Sequence, residues 1–415
     1  MLSELLSSKL KKICIITPGI LASNPRVVKE AAALSEAGYQ VHLIYTRHVN
    51  YLISDDEEIL NEHPEWTVDY LDWASKTFQA RKLKFLSGIT RRILEMVVEY
   101  SLIPESSTGK LVNRFYSWQL KRAIAQKADL YIAHYPDSIA VAAKAAKTNK
   151  SLFAFDAEDY HRGENLPLSV TRAITSIEDQ YLCDAVYVSA ASPMIAEVYQ
   201  KHYPAIKVFP VENMFPLKKQ TPFRNLYSVK YKFFWFSQTI GSGRGLEEFI
   251  DILSLCITIN FQLTLLGNVS DTYKTELQDK WLSRNLKADQ LIFLKTVAEG
   301  EIFKIASEHH FGLCLEIPTV LNKDLCLSNK LYTYILSGNY LILSNTKAQY
   351  QFHNSFPDSG IKIDLENSSD AAAKLLHIIE YEHLNNLRRA NFELGKKTLN
   401  FDVEKHTLLK HIASI

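Results

Sequence analysis

The sequence predicts an α/β protein of two Rossmann-like domains that face each other across a cleft. The chain has 415 residues, 47% of them hydrophobic, which is enough for two or three domains with sizeable cores. Short apolar segments alternate with helical patterns along most of the chain. A stretch with three prolines, residues 209–224, divides this alternation into two similar series. Two such domains joined by a linker imply a cleft between them.

The composition argues against one class of function and indicates the compartment of the protein. Lys and Arg total 47 against 46 Asp and Glu, which argues against a dedicated nucleic-acid binder. Five scattered cysteines without a CxxC pair indicate buried, reduced thiols and a cytoplasmic protein. No apolar run reaches the roughly 18 residues of a membrane span, and we expect no export signal.

The first domain opens with a predicted strand, helix and strand. The strand KICIITPG ends at Gly19, a helix begins at Asn24 with Pro25 in its first position, and VHLIY follows Gly38. The unpaired N–H groups at such a helix start favour an anion. The alternative is a structural βαβ unit without a ligand at this turn.

Three further buried strands follow in this domain, DLYIAHY, SLFAFDAED and AVYVSAAS. Ligands of open parallel sheets bind beyond the carboxyl ends of the strands, so the polar residues there are candidates for a site. They are His134, Asp137, Asp156, Glu158, Asp159 and His161. Asp156 and Glu158 are our predicted catalytic residues, although they could merely cap a following turn.

The second domain starts after the proline-rich linker. We predict an N-terminal domain over residues 1–212, a C-terminal domain over 213–398, and a helix over 399–415 that could pack back across the cleft. The second series begins with the strand YKFFWFS and ends with the helix KLYTYILSG and the strand YLILSN.

Two segments of the second domain predict phosphate binding. In GSGRGLEEF, three glycines surround Arg244 directly before a helix, so backbone N–H groups and a guanidinium can face one anion. In LSNKLYTY, Ser328 or Asn329 can cap a helix whose first turn holds Lys330. The positive end of the helix dipole disfavours a lysine there unless an anion lies nearby. The alternatives are a plain glycine turn and an ordinary solvated lysine.

The motifs TPGILASNPRVVKEAAALSEAGYQVHLI, FDAEDYHRGE, WFSQTIGSGRGLEEFI and LSNKLYTYILSGNYLILSN, in this order, resemble the GT-B glycosyltransferases. They are most similar to the large retaining family typified by sucrose and lipopolysaccharide sugar transferases. The resemblance covers nearly the whole chain. It implies an acceptor bound mainly by the first domain, a nucleotide-sugar bound mainly by the second, and transfer without a metal or other cofactor.

The resemblance also implies roles for individual residues. Glu158 falls near the position at which the family has a histidine that faces the reacting sugar. The residues implied to contact the donor or its phosphates are Gly19, Ser237, Gly243, Arg244, Asn329, Lys330 and Thr333. We also expect Asn24, Arg26, His134, Asp137 and His161 to face the acceptor or the sugar.

One departure from the family concerns a pair of glutamates eight positions apart. Leu325 and Thr333 occupy their places, so neither carboxylate is present. A Thr333 hydroxyl could still contact a donor ribose. We expect a variant transferase rather than an inactive one. The alternatives are a nucleotide-sugar epimerase on the same fold and a non-catalytic nucleotide-sugar-binding partner.

A basic amphipathic segment, residues 81–98, lies in the first domain. Its positive and apolar residues separate on a helical wheel, as in helices that lie on an anionic membrane; an ordinary surface helix is the alternative. An acidic stretch, 51–80, precedes it, with eight acidic residues and one lysine. We therefore expect a cytoplasmic glycosyltransferase, peripheral on the inner face of the plasma membrane, that transfers sugar to a glycan or lipid-linked acceptor in bacterial surface polysaccharide synthesis. Capsule, O-antigen and exopolysaccharide are the product classes that we expect.

Overall fold

The computed structural model describes residues 10–100, 108–227, 230–379 and 384–415, without the side chains of 90, 91, 93–100 and 108. Contacts divide the chain into two compact units. The first unit ends at Glu212 and also takes in Lys405–Ile415, and the second unit is Asn213–Glu404.

The first unit has a seven-stranded sheet in the order β3-β2-β1-β4-β5-β6-β7, and every strand pair is parallel. Its strands are β1 Lys12–Ile16, β2 Gln40–Arg47, β3 Thr67–Asp72, β4 Leu130–His134, β5 Leu152–Ala157, β6 Val188–Ala190 and β7 Val208–Pro210. Its helices are α1 Pro25–Glu36, α2 Ile53–Glu62, α3 Phe78–Tyr100, α4 Thr108–Val112, α5 Tyr116–Gln126, α6 Pro136–Asn149, α7 Leu168–Tyr181 and α8 Pro193–His202.

The second unit has a six-stranded parallel sheet in the order β10-β9-β8-β11-β12-β13. Its strands are β8 Tyr231–Thr239, β9 Phe261–Asn268, β10 Leu291–Leu294, β11 Phe311–Cys314, β12 Tyr340–Leu343 and β13 Gly360–Lys362. Its helices are α9 Leu246–Ser254, α10 Asp271–Ser283, α11 Glu299–Ser307, α12 Leu321–Leu325, α13 Asn329–Ser337, α14 Lys347–Ser355, α15 Ser368–Ile379 and α16 Leu384–Lys397. The last helix, α17 Phe401–Ala413, begins in the second unit and continues into the first unit from Lys405.

Each unit has a core of buried aliphatic and aromatic side chains on its sheet. In the first unit, Ile13 and Ile15 of β1 pack with Val27 and Leu34 of α1. In the second, Phe233 and Trp235 of β8 pack with Phe249 of α9. Strands covered on both faces read as continuous apolar runs, which is why both sheets were predictable as parallel α/β layers.

The strand order places a switch point in each sheet. β1 lies between β2 and β4, and β8 lies between β9 and β11. The connections from β1 and β4, or from β8 and β11, leave in opposite directions, so a crevice opens at the carboxyl ends of these strands. Some of the predicted site residues follow these strands, namely Asn24 after β1, Asp137 after β4 and Arg244 after β8.

The helix starts that the sequence predicted are confirmed. Asn24 is the N-cap of α1, its Oδ1 accepts from the Val27 N–H at 3.2 Å, and Pro25 is the first residue. The prediction that all cysteines are buried is confirmed for Cys14, Cys256 and Cys314, but Cys183 is exposed and Cys326 is half-buried; all five are free. Among the described residues, no helix combines the length and apolar character that a membrane crossing requires.

Candidate functional site

The first candidate site is a buried group of charged residues at the carboxyl ends of β4 and β5, which we call the inner polar cluster. Its members are Arg26, Glu30, His134, Asp156 and Glu158. Arg26 and Glu30 lie one turn apart on α1, whereas His134 ends β4 and Asp156 belongs to β5. Because β4 and β5 are adjacent, with His134 opposite Asp156, residues far apart in sequence meet here.

Arg26 and Asp156 form the strongest contact of this cluster. Nε of Arg26 donates to Oδ2 of Asp156 at 2.5 Å, and Nη2 donates to Oδ1 at 2.7 Å. Ser189 Oγ also donates to Oδ1, at 2.6 Å. Burial raises the pKa of Asp156, but the charge and hydrogen bonds of Arg26 outweigh it and lower the pKa overall. Both oxygens of this carboxylate therefore accept hydrogen bonds, which indicates a structural role for Asp156 in holding Arg26 in place.

His134 is held between two carboxylates. Its Nε2 lies 2.5 Å from Oε2 of Glu30, and its Nδ1 lies 2.8 Å from Oε1 of Glu158. Burial by itself lowers the pKa of His134, but the charges of Asp156 and Glu30 and the hydrogen bonds to Glu158 and Glu30 raise it to about 10. Both ring nitrogens therefore carry protons and donate at neutral pH.

Glu158 is the member of the cluster best placed to act on a ligand. Oε1 also accepts from Nδ2 of Asn24 at 2.8 Å, while the side chain keeps 10% exposure against 3% for Asp156. Two cations and three carboxylates leave one net negative charge in the cluster. A fixed, partly exposed carboxylate of this kind can accept a proton or stabilise a developing positive charge.

Glu30, His134 and Asp156 are also metal-ligand types, and their ligand atoms lie within 4.8 Å of one another. The two carboxylates, however, face opposite nitrogens of one imidazole, and the Arg26 guanidinium already binds Asp156. One ion could not bind both nitrogens of the ring. This donor set therefore fits an ion-pair network better than a metal site.

The loop after β1 is fixed beside this cluster. The N–H of Leu21 donates to Oδ1 of buried Asp56 at 3.0 Å, and the N–H of Ile20 donates to Nδ1 of His48 at 3.3 Å. A Cβ on Gly19 would lie 3.3 Å from Cε1 of His48, so the loop passes close to this ring. Nothing in the sequence singled out His48, because only the folded loop brings it to Gly19.

The second candidate site lies at the carboxyl ends of β8 and β11, and we call it the cation pair site. Nη1 of Arg244 donates to Oγ of Ser237 at 3.2 Å, and Nζ of Lys330 donates to Oγ of Ser328 at 3.2 Å. Ser328 is the N-cap of α13. Gly243 and Gly245 have φ values of +68° and +76°, which glycine adopts without strain. A glycine turn, two cations and a helix start suit a phosphate group.

Sequence analysis missed Glu316, which follows β11. One oxygen lies 3.9 Å from Nζ of Lys330, and its backbone N–H donates to Ser344 Oγ at 3.1 Å. Burial raises the pKa of Glu316, and the charge of Lys330 opposes this. Like the predicted site residues, Glu316 ends a parallel strand, and that position was the signal that could have identified it.

The remaining predicted residues are more scattered. Thr333 is buried, and its hydroxyl donates to the Asn329 carbonyl at 3.2 Å. Asn329 is the first residue of α13 and is half-buried. Asp137 lies in the first turn of α6. The ring of His161 lies 5.5 Å from that of Tyr135.

Comparisons with solved structures show the fold. The Anabaena protein HepE in complex with UDP and glucose matches with a TM-score of 0.68 and 13% identity, over 98% of this chain and 100% of that one. Sucrose-phosphate synthase from Thermosynechococcus elongatus matches with 0.68 and 13%, over 96% and 98%. A putative UDP-N-acetylglucosamine 2-epimerase from Listeria monocytogenes matches with 0.56 and 8%, over 96% and 95%.

No family model and no curated protein sequence matches this chain. The likeness is therefore one of fold, and it extends over nearly the full length of each protein. The predicted fold class, α/β with two Rossmann-like units, is confirmed. This chain has the GT-B fold, which it shares with these proteins.

Proposed function

We propose that this chain is a glycosyltransferase that takes a sugar from a UDP-sugar donor. The observation that carries the proposal is the cation pair site, where Arg244 lies in a glycine turn and Lys330 lies in the first turn of α13, on a fold shared with a UDP-bound protein. Fixed cations and N–H groups can stabilise the diphosphate that leaves during transfer, and such electrostatic stabilisation is commonly the largest contribution to catalysis. In this proposal the reaction needs no metal ion.

The first unit supplies the acceptor side of the proposed reaction. Glu158 accepts the proton of the acceptor hydroxyl or stabilises the positive charge that develops on the sugar. Asp156, which already accepts two hydrogen bonds from Arg26, holds the inner polar cluster in place. We propose a retaining outcome and a glycan or lipid-linked acceptor, with bacterial surface polysaccharide as the product. These finer statements rest on the family resemblance of the motifs.

Calorimetric titration with UDP tests the donor site. We expect Arg244→Gln and Lys330→Gln each to weaken UDP binding by about tenfold or more, since loss of one charge-assisted contact costs roughly 1.5–3 kcal/mol. Arg284→Gln is the matched control, because Arg284 lies in the same unit and pairs with Asp251 instead. Unchanged UDP affinity in both site variants would contradict the proposal.

Turnover separates transfer from its alternatives. A panel of UDP-sugars with and without candidate acceptors should give product only when an acceptor is present. Product that forms without an acceptor would indicate a nucleotide-sugar epimerase, the activity named for the Listeria neighbour. UDP-sugar binding without turnover under all conditions would indicate a non-catalytic binding partner.

We further propose that α3 binds an anionic membrane surface. Phe78, Phe85, Leu86 and Ile89 are 80%, 68%, 50% and 42% exposed, and their spacing places them on one helix face. Exposed basic residues accompany them, namely Arg81, Lys82, Lys84 and Arg92. The side chains of Arg91, Ile93, Met96 and Val97, which the sequence also assigned to this helix, lie outside the described residues. Arg81, Lys84 and Arg92 lie to one side of this apolar face, and Lys82 lies within it. Apolar side chains accompanied by basic ones suit anionic lipid.

Vesicle flotation tests the membrane proposal. The full-length protein should float with vesicles that contain phosphatidylglycerol and remain behind with pure phosphatidylcholine. Phe78→Ser combined with Phe85→Ser should abolish flotation, whereas Tyr227→Ser, at a residue 88% exposed in the second unit, should not. Flotation that is independent of anionic lipid, or that survives the double substitution, would overturn it.

A further inference from the structure

Glu30 is a buried carboxylate with few hydrogen-bond partners. Only 5% of the residue is exposed, and its oxygen Oε2 lies 2.5 Å from Nε2 of His134. The other oxygen, Oε1, is also buried, and no described residue donates a hydrogen bond to it. Asp156, in contrast, accepts two hydrogen bonds from Arg26 and one from Ser189. A carboxylate that is buried with one oxygen unpaired reduces stability, so its presence calls for a role other than stabilising the fold.

Glu30 faces one nitrogen of the His134 ring, and two other carboxylates face the second nitrogen. Nδ1 lies 2.8 Å from Oε1 of Glu158 and 3.3 Å from Oδ2 of Asp156. The side chain of His134 is fully buried. Because the imidazole is rigid, a hydrogen bond at Nε2 fixes the direction in which Nδ1 donates and also which nitrogens carry protons. Glu30 therefore determines how His134 meets Glu158.

The balance of charge makes Glu30 important for the protonation of His134. Arg26 and Glu30 face the ring from α1, Asp156 faces it from β5, and Glu158 faces it from the segment after β5. Arg26 and Asp156 match each other's charge through two hydrogen bonds. Among these charged groups, Glu30 and Glu158 therefore remain to balance an imidazolium.

Loss of the Glu30 charge would change the neighbour of Glu158. With an amide in place of the carboxylate, His134 can release the proton on Nε2 and still donate from Nδ1. Glu158 then has a neutral ring beside it, and a carboxylate without an adjacent cation is protonated more easily. The nearby Tyr187 phenol cannot supply the missing charge, because burial and the charge of Glu30 raise its pKa well above the usual value and keep it neutral.

We propose that Glu30 is a positioning residue that acts through His134, and that it keeps the imidazole doubly protonated and directed at Glu158. The inference rests on the proposed transferase function, which it deepens. Asn24 and His134 both bind Oε1 of Glu158 at 2.8 Å, while 10% of the Glu158 side chain stays exposed. A carboxylate that acts on a sugar needs such a fixed orientation.

The protonation of His134 is tested by ¹⁵N NMR of the full chain with labelled histidine, at about pH 8. The chain has 13 histidines, and ordinary ones are largely neutral at this pH. We expect one ring of the wild-type protein to have both nitrogens protonated, and Glu30→Gln to convert that ring to the neutral form. Glu36→Gln is the matched control, since Glu36 also lies on α1 but is 64% exposed and pairs with Lys405. A ring that stays doubly protonated in Glu30→Gln would overturn the proposal.

The effect on Glu158 is tested by the kinetics of Glu30→Gln. We expect kcat near neutral pH to fall about tenfold. KM for the UDP-sugar should stay unchanged, because the proposed donor site lies in the second unit. The acid limb of the pH profile should move up by about one pH unit, since Glu158 loses its cationic neighbour. Glu36→Gln should match the wild type. A fall in kcat that is equal at every pH would indicate a purely structural role for Glu30 and would overturn the proposal.

The route through His134 is tested by combining two substitutions. Glu30→Gln should cause no further loss of kcat in a protein that already carries His134→Gln, and losses that multiply would contradict the route. Should Glu30→Gln not fold, the wild-type spectrum still decides, because the absence of any doubly protonated ring at about pH 8 would refute the inference. If the wild-type protein transfers no sugar, the proposed function fails, whereas the NMR comparison still shows whether Glu30 holds the proton on His134.

Discussion

Arg26 and Asp156, which are 130 residues apart in sequence, form a doubly hydrogen-bonded ion pair at 2.5 and 2.7 Å in the interior of the first unit. Only 7% and 3% of the two side chains are exposed. Nη1 of Arg26 also donates to the Val211 carbonyl at 2.6 Å. The pair therefore ties the first helix to β5 and to the segment after β7.

Breaking this pair should be costly. Arg26→Met leaves the Asp156 carboxylate buried without its main partner, and we expect a loss of about 3–5 kcal/mol in the free energy of unfolding of the first unit. The double variant Arg26→Met with Asp156→Leu should recover much of that loss, because the buried Asp156 carboxylate is then absent as well. Urea denaturation of the two variants checks this. A double variant as unstable as the single one would contradict the explanation.

The raised pKa of His134 predicts a dependence of stability on pH. The pKa is about 10 in the folded protein and about 6.5 in the unfolded chain. The stabilisation by the imidazolium is therefore fully present below pH 6.5 and is lost as the pH rises through 10. Urea denaturation between pH 6.5 and 10 should show stability falling by about 1.4 kcal/mol per pH unit more than in His134→Gln. Other titrating groups are common to both proteins, so parallel curves would contradict the prediction.

A substitution at Gly241 can test whether a ligand lies close to the glycine turn, because a larger residue there causes no backbone strain. A Cβ there meets nothing within 4 Å, and its φ lies outside the positive range. Gly241→Ala should therefore leave the melting temperature unchanged. If the diphosphate occupies the open space, UDP affinity should fall by on the order of tenfold. Gly300→Ala, at a second position with open space in the same unit, should leave UDP affinity unchanged. Equal affinities in the two variants would place the diphosphate elsewhere.

We expect Glu316 to weaken the binding of an anionic ligand at the cation pair site. Its carboxylate lies 3.9 Å from the Lys330 ammonium and competes with a phosphate for that charge. Glu316→Gln removes the competition with little change in shape, so UDP should bind about fivefold more tightly by calorimetry. Weaker UDP binding in this variant would mean that Glu316 itself contacts the nucleotide.

Local patterns made much of the fold predictable. Apolar runs, glycine turns and the Asn24-Pro25 helix start indicated strands and helices in their observed order, because each signal lies within a few residues. The rule for strand ends also selected His134, Asp156 and Glu158, which the structure brings together. Their catalytic roles remain predictions.

What the sequence could not show depends on distant contacts. Glu30 is charged yet lies on the buried face of α1, one turn from Arg26, and its partner His134 is 104 residues away. Thr333, which was predicted to contact the donor, is buried, as is every residue of its helix from Leu331 to Ser337. Side-chain burial of this kind follows from which neighbours pack on a helix, and periodicity alone does not determine it.

The division of the chain has a consequence for biosynthesis. The second unit is one continuous segment, whereas the core of the first unit includes Leu408, Leu409 and Ile412 of α17. These side chains leave the ribosome after the whole of Asn213–Glu404. The unit whose translation starts first therefore cannot complete its core until residue 412 has left the ribosome, after the whole of the second unit.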